Sequence, residues 1–193
     1  MIKRFLLILV IIFSLQSLIK ADDIRDFEIE GMSIGDSLLD YMSKNEIIDN
    51  GIYGSDSKFF EVEYLGTLSM YDHFTLYVIR NDPNYLIHAI RAINVVDNKN
   101  DCLNSKKEIF KEMKKVFAGK EFSEMTQNHY YYKNSKQYVS QFYLGNKNTV
   151  ESDLSRIECV IMDKKDLEKH GDIANTLEVI IYTEDFAKWL ESL

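Results

Sequence analysis

The sequence predicts an α+β fold: two antiparallel three-stranded meanders, each preceded by a helix, followed by a C-terminal helix. Three observations support this prediction. Runs in which apolar residues alternate with period two come in groups of three. Single runs with helical spacing separate these groups, an order that favours α+β over alternating βαβ units. Short connections join the strands of the first group, as antiparallel neighbours allow.

The helices and strands follow in chain order from local signals. Ser33 and Ser43 each open a capping-box spacing, which predicts helical turns over 34–42 and 44–49. Alternation predicts strands at 58–65, 73–80, 85–96, 137–144, 155–162 and 176–182. Helical spacing predicts a long helix at 101–117 and a final helix capped by Thr183. Each meander is expected to bury one face.

The N-terminus has the layout of a cleavable export signal. Lys3 and Arg4 precede an unbroken apolar run at 5–13, and a more polar stretch then ends at Ala21. A membrane span needs about 20 consecutive apolar residues, and Ser14 interrupts this run. We expect cleavage after Ala21, a periplasmic or secreted protein, and no membrane span once the signal is removed.

The predicted mature chain, residues 22–193, has the length of a single domain and can bury a core without metals. Residues 1–21 hold three basic and no acidic residues, so their removal changes the formal net charge from −8 to −11. Such a negative surface repels nucleic acid and anionic lipid head groups. We therefore expect neither as a partner.

The chain has two cysteines, Cys102 and Cys159. In an oxidising compartment they allow one intramolecular disulfide, worth about 4 kcal/mol in the chain-entropy model. Two buried free thiols are the alternative.

Residues 35–38 (GDSL) resemble the nucleophile block of the GDSL esterases and lipases. The resemblance implies Ser37 as the nucleophile and His170 as its base. The family's Asp three residues before the His is missing, because Leu167 stands there and Asp166 lies four before. Its Gly-x-Asn-Asp block is also missing. A helix-capping role explains the same residues.

Residues 97–101 (DNKND) and Glu108 approach a calcium-loop spacing. Lys99 stands at position 3 of the loop, where a ligand is needed, and Cys102 at the glycine position. A polar turn entering the helix, with Asp101 as its cap, is the simpler interpretation. The four histidines show no metal-binding pattern, and no cofactor is predicted.

His129, Tyr130, Tyr131 and Tyr132 form an aromatic cluster in a polar connection between the long helix and the second meander. Such residues can stack on a sugar ring or receive a peptide, which makes them a candidate binding surface. The alternative is a strand whose alternate tyrosines are packed.

Residues 27–40 (FEIEGMSIGDSLLD) and 183–190 (TEDFAKWL) resemble a group of small exported proteins of unknown function from AT-rich-genome, alphaproteobacterial-type bacteria. That group has no established activity. Residues 29–33 also resemble the Gly-Met-Ser/Thr segment of small outer-membrane-assembly lipoproteins, which implies only a protein-interaction role.

We therefore expect an exported, non-enzymatic binding or envelope-associated protein with an unknown protein or small-molecule partner. A secreted GDSL-like esterase using Ser37 and His170 is the alternative. A purely structural partner in an envelope complex is a third possibility.

Overall fold

The computed structural model describes residues 23–52, 57–145 and 152–192. The predicted export signal, 1–21, lies outside these residues. Strands in chain order are β1 Glu28–Ile29, β2 Met32–Ser33, β3 Gly51–Ile52, β4 Phe59–Glu63, β5 His73–Ile79, β6 Ile87–Val95, β7 Phe122–Asn128, β8 Lys136–Tyr143, β9 Leu154–Ile161 and β10 Thr176–Tyr182. Helices are α1 Lys44–Asp49, α2 Lys99–Val116, α3 Lys164–His170 and α4 Glu184–Glu191. Within this described part, no helix is long and apolar enough to cross a membrane.

Eight of these ten described strands form one antiparallel sheet in the order β3-β4-β5-β6-β10-β9-β8-β7. The prediction of two antiparallel three-stranded meanders, each preceded by a helix, is therefore wrong. Strand β10 pairs with β6 on one side and β9 on the other, with Ile181 opposite Ile90 and Ser155. Because β10 is far from β6 in sequence, this pairing leaves no trace in local periodicity.

The sheet also contains strands that alternation did not predict. β7 forms one edge, and six of its seven residues are exposed. A strand without a buried face has no period-two apolar pattern, so its sequence looked like a polar connection. The two-residue β3 and the short helix α3 were missed as well.

The helical turns predicted over 34–42 are largely absent. Only Leu38–Asp40 forms a 3-10 turn, with Ser37 as its cap. Gly35 has a positive φ of 90° and donates its backbone N–H to Ile87 at 2.9 Å. Hydrogen bonds to the segment that enters β6 thus override the capping-box signal at Ser33. The second capping box is confirmed, since Ser43 begins helix α1.

The N-terminal hairpin β1-β2 closes through Glu30 and Gly31, whose φ values of 54° and 79° suit a tight type I′ turn. The Glu30 carboxylate accepts hydrogen bonds from Ser69 Oγ at 2.8 Å and the Met70 backbone N–H at 2.7 Å. The hairpin is thereby tied to the β4–β5 connection.

Both faces of the sheet are covered, although one buried face was predicted for each meander. On the α2 face, Phe110 of the helix lies 5.1 Å from Phe142 of β8, measured between ring centroids. On the opposite α4 face, Phe186 lies 5.2 Å from Phe59 and 4.8 Å from Tyr77. These contacts place apolar cores on both sides of the strands.

Cys102 of α2 and Cys159 of β9 lie at disulfide distance, with 2.08 Å between the sulfur atoms. Both side chains are fully buried at 0 % exposure. The pair joins α2 to the sheet, and it is compatible with a protein that works outside the cytoplasm.

Candidate binding surface

The predicted aromatic cluster lies in the loop between β7 and β8, residues 129–135, which we call the tyrosine loop. It is not a strand, so the packed-strand alternative does not describe it. The loop is closed by two backbone hydrogen bonds: His129 donates to Ser135 at 3.0 Å, and Ser135 donates to Tyr132 at 2.9 Å. Seven residues thus form a compact turn at one end of the sheet.

Asp166 of helix α3 fixes the C-terminal end of the loop by hydrogen bonds. Its carboxylate accepts hydrogen bonds from Ser135 Oγ at 2.6 Å and from Asn134, through the backbone N–H at 3.2 Å and Nδ2 at 2.9 Å. Ser135 Oγ also accepts from the backbone N–H of Asp163 at 2.9 Å. The hydrogen bonds from Ser135 and Asn134 lower the pKa of Asp166. Asp166 is 5 % exposed, and the lowered pKa favours the ionised carboxylate that these hydrogen bonds require.

His129 holds the loop from within. Its Nδ1 atom accepts hydrogen bonds from the backbone N–H groups of Tyr131 and Tyr132, both at 3.2 Å, which requires Nδ1 to be unprotonated. Burial lowers the pKa of His129, although the charge of Glu178 acts in the opposite direction. The neutral imidazole that the loop needs is thus the form that its surroundings favour.

Tyr132 packs inward while its two predecessors point to solvent. The Tyr132 ring lies 4.9 Å from His129 and 5.1 Å from His170, measured between centroids. Tyr130 is 66 % exposed and Tyr131 is 77 % exposed, and their rings meet edge to face at 4.8 Å. The loop therefore presents two large aromatic side chains on a backbone that is already ordered.

The Lys133 ammonium lies 4.7 Å from the centroid of the Tyr130 ring. This position adds a cation to the exposed aromatic surface. Tyrosines combine apolar area with a hydroxyl group and lose little side-chain entropy on binding. This arrangement can bind a partner by stacking and hydrogen bonding.

A buried charged cluster lies on the α4 face of the sheet, close enough to act on His129. Arg91 Nε and Nη2 donate to Glu178 at 2.7 and 3.0 Å, and Thr176 Oγ1 donates to the same carboxylate at 2.6 Å. Burial alone would lower the pKa of Arg91, but the hydrogen bonds and charge of Glu178 raise it. The Glu178 side chain is 2 % exposed and the Arg91 side chain is 35 % exposed, so the carboxylate is internal and the cation partly buried.

Glu158 of β9 lies beside this pair and forms an ion pair with Arg156 at 2.5 Å. Burial raises the pKa of Glu158, although Arg156 acts to lower it. The two pairs give the α4 face a polar interior next to its apolar core. Because each charge has a partner, we assign this cluster a structural role.

Ser37 and His170, the residues of the esterase alternative, lie at opposite ends of the sheet. Ser37 bridges to Leu86, directly before β6, at the end where Ala89 pairs with Tyr182. His170 contacts the loop before β8, at the other end of the seven-residue β10, so a strand length on the order of 20 Å intervenes. The Ser37 hydroxyl donates to the backbone oxygen of Asn84 at 2.7 Å instead.

The polar turn predicted before the long helix is present, but the cap is Asn98, and Asp101, the predicted cap, lies in the first turn of the helix. Asn98 accepts hydrogen bonds from the backbone N–H groups of Asn100 and Asp101 at 3.0 and 3.1 Å, and begins helix α2. Among the described residues, no group of three His, Cys, Asp or Glu side chains is placed to hold a metal ion.

Sequence reasoning found the exposed tyrosines and His129 but missed Asp166, which fixes the loop from helix α3. Asp166 belongs to helix α3, which was not predicted. Its signals were Asp163, whose side chain caps the helix, and Gly171, which ends it with a positive φ of 70°. Recognition of α3 from these two residues would have revealed a helix, though not its contact with the loop.

Comparison with protein-family models, curated proteins and solved structures finds no match for this chain. The fold and the tyrosine loop are therefore the basis for a functional proposal.

Proposed function

We propose that the protein is an exported, non-enzymatic binding protein that captures a partner in the bacterial envelope through the tyrosine loop. One observation carries the proposal: Tyr130 and Tyr131 are 66 % and 77 % exposed on a loop whose backbone is fixed by Asp166 and His129. Large aromatic residues exposed on a surface lower solubility, so their presence indicates a use in binding. Because the backbone that carries them is already ordered, less conformational entropy is lost when a partner binds. This combination supports recognition of another molecule.

Two features support export. The first 21 residues have the layout of a secretory signal. Cys102 and Cys159 lie at disulfide distance, as is usual for proteins of oxidising compartments. N-terminal sequencing of protein recovered from the envelope or the medium tests this part, and we expect Asp22 as the first residue.

The partner is expected to be a protein. Two adjacent tyrosines with a lysine over one ring resemble the aromatic anchors that dominate protein interfaces. A sugar ring can stack on the same surface, so sugar binding is an outcome that the experiment below distinguishes.

The test is photo-crosslinking in cells that make the protein. Tyr131 is replaced by p-benzoylphenylalanine, and Leu65, 68 % exposed in the β4–β5 connection, is replaced in the same way as a matched control. We expect a discrete protein adduct at position 131 that is lost in a Tyr130→Ala background, and none at position 65.

Equal adducts at both positions, or none at position 131, would contradict the proposal. The purified protein could instead bind glycans on an array and lose this binding when Tyr131 is replaced. That result, without a protein adduct in cells, would show that the partner is a sugar and not a protein.

A further inference from the structure

A second surface lies away from the tyrosines, in the groove between helix α2 and edge strand β7. The groove has a volume of about 390 Å³. Its lining residues are Leu103, Lys106, Lys107, Phe110, Lys114 and Glu124. Three lysines therefore surround an apolar floor.

The lysines of this groove differ in what holds them. Lys106 bonds to Ser140 and lies 3.9 Å from a carboxylate oxygen of Glu124. Lys114 lies over two rings, 4.4 Å from the centroid of Phe110 and 4.2 Å from that of Phe122. Lys107 and Lys114 form no ion pair with any residue of 23–52, 57–145 or 152–192. Their charges thus remain available to an anionic partner.

This positive charge stands out because the chain as a whole is acidic. The formal net charge of the chain is −8, yet helix α2 carries six lysines and three acidic residues. The opposite local sign steers an acidic partner towards α2 while the remaining surface repels it.

Beside the groove, β7 is the edge strand of the sheet, and its outer backbone groups pair with no other strand among the described residues. Tyr143 donates its backbone N–H to Glu121 at 3.0 Å, and His129 donates to Ser135 at 3.0 Å. In an antiparallel pair, hydrogen-bonded residues alternate with residues whose N–H and C=O point away. Odd-numbered residues of β7 therefore bond to β8, while the N–H groups of Glu124, Thr126 and Asn128 point outward.

The register also places the side chains. Phe122, Glu124 and Thr126 lie opposite Phe142, Ser140 and Tyr138. Phe142 contacts α2, so these side chains share the α2 face of the sheet. A strand added outside β7 would direct every second side chain towards Lys107 and Lys114.

From these observations we infer that β7 and the lysine groove receive an extended acidic peptide segment of another protein, added to the sheet as a ninth strand in the described order. Backbone hydrogen bonds to β7 supply the affinity, and acidic side chains at alternate positions pair with Lys107 and Lys114. A nucleic acid offers no peptide backbone to pair with β7. A second copy of β7 offers one carboxylate, Glu124, on this face. An acidic peptide satisfies both requirements.

The experiment measures fluorescence anisotropy with a labelled seven-residue peptide of alternating Glu and Val. The same peptide with Lys in place of Glu is the ligand control. Thr126→Pro removes an outward N–H without removing a hydrogen bond to β8, and Thr126→Ala is its matched control. Lys107→Glu/Lys114→Glu reverses the groove charge, and Lys164→Glu/Lys165→Glu makes the same charge change on α3.

We expect Thr126→Pro and the groove reversal each to weaken binding at least tenfold. Both controls should stay within twofold of the unmodified protein. If the groove reversal weakens peptide binding and Thr126→Pro does not, strand addition is overturned. If the α3 reversal weakens binding as much as the groove reversal does, the effect comes from net charge and not from the groove. Failure of the Glu–Val peptide to bind, or equal binding of the Lys–Val peptide, would overturn the whole inference.

Hydrogen exchange on the unmodified protein gives a readout that does not depend on how the variants fold. Addition of the Glu–Val peptide should slow exchange at the Glu124, Thr126 and Asn128 amides, while the amides already bonded to β8 change little. Slow exchange at those three amides without peptide, in protein that elutes as a dimer, would assign the edge to self-association and overturn the inference.

Discussion

Arg91 and Glu178 form a two-pronged ion pair across β6 and β10, the strands that join the two halves of the sheet. The pair is diagonal, because Arg91 lies opposite Ile180 and Glu178 lies opposite Ile93. Strand β10 comes from the C-terminal part of the chain and β6 from its middle. This contact therefore stabilises a pairing that no local sequence pattern specifies.

Arg91→Met should lower the free energy of unfolding by about 3 kcal/mol, because it leaves the Glu178 carboxylate buried without its cation. The loss is at the low end of the usual range for buried ion pairs because the Arg91 side chain is 35 % exposed. The Arg91→Met/Glu178→Met double variant should lose less than the sum of the single changes. Urea unfolding measures all four proteins, and additive losses would contradict the coupling.

Removal of the Cys102–Cys159 bond should destabilise the protein, because the unfolded chain then gains conformational entropy. Cys102 and Cys159 are 57 residues apart, so Cys102→Ser/Cys159→Ser should lower the free energy of unfolding by about 4 kcal/mol in the chain-entropy model. Urea unfolding with and without dithiothreitol measures the loss, and dithiothreitol should not affect the double variant. Two free thiols in the untreated protein by intact mass would contradict the bond.

Acid should loosen the tyrosine loop. Burial puts the folded-state pKa of His129 below its ordinary value of about 6.5, so its contribution to stability is complete above about pH 6.5 and is lost as pH falls through the folded pKa. The reason is that protonated Nδ1 cannot accept the N–H groups of Tyr131 and Tyr132. Amide exchange at these two residues should accelerate with acidification.

His129→Asn is the matched control for this effect. An asparagine oxygen can accept from the backbone two residues on and does not titrate. The acceleration near the His129 pKa should disappear in this variant. An unchanged acid response would assign the titration to another group.

Asp166→Asn should release the loop without disturbing the sheet. The amide replaces one acceptor oxygen with a donor that faces Ser135 Oγ and Asn134, which both donate to Asp166 in the native protein. Exchange at the Tyr131 and Tyr132 amides should accelerate, while the amides of β10 keep their protection. Acceleration throughout the chain would show that Asp166 supports the whole fold instead.

Asp166 also predicts a pH effect of defined sign. Its pKa is lowered in the folded state, so its stabilising contribution is present above its ordinary value of about 4 and is lost as pH falls through the folded pKa. The difference in Tm between the native protein and Asp166→Asn should therefore shrink under strong acid. Calorimetry at neutral and acidic pH measures it.

Ser37→Ala should affect stability and leave ester hydrolysis unchanged. Ser37 caps the Leu38–Asp40 turn and donates to Asn84, so its loss should lower the free energy of unfolding by about 1 kcal/mol. A fluorophosphonate probe should not label Ser37, because His170 lies at the other end of the sheet. Labelling that disappears in Ser37→Ala would restore the esterase alternative.

Several elements were predictable because their signals are local. The Ser43 capping box began helix α1, as expected. Helix α2 was predicted at 101–117 and forms at Lys99–Val116. The predicted strands all exist, with ends that differ by a few residues. In each case the signal lies in neighbouring residues: alternation or helical spacing indicates a buried face, and a capping side chain pairs with the N–H groups at the helix end.

The candidate site was predictable only in part. The run of tyrosines marked the loop, because consecutive aromatic residues among polar ones are visible in a sequence. Its anchor was not, because Asp166 lies more than thirty residues from Ser135 and Asn134. From the sequence, Asp166 cannot be distinguished from an exposed acidic residue of a helix. Its donors, Ser135 and Asn134, become its neighbours only in the folded chain.

By itself, the sequence determined the α+β composition, the main helices and strands, the single possible cysteine pair and the export-signal pattern. Tertiary structure alone decided that β10 joins both halves into one sheet, that β7 forms its edge, and that Asp166 fixes the tyrosine loop. The physical reason is the range of the interactions. Periodicity and capping act between residues a few positions apart, whereas strand order and buried hydrogen bonds depend on which distant segments meet when the core closes.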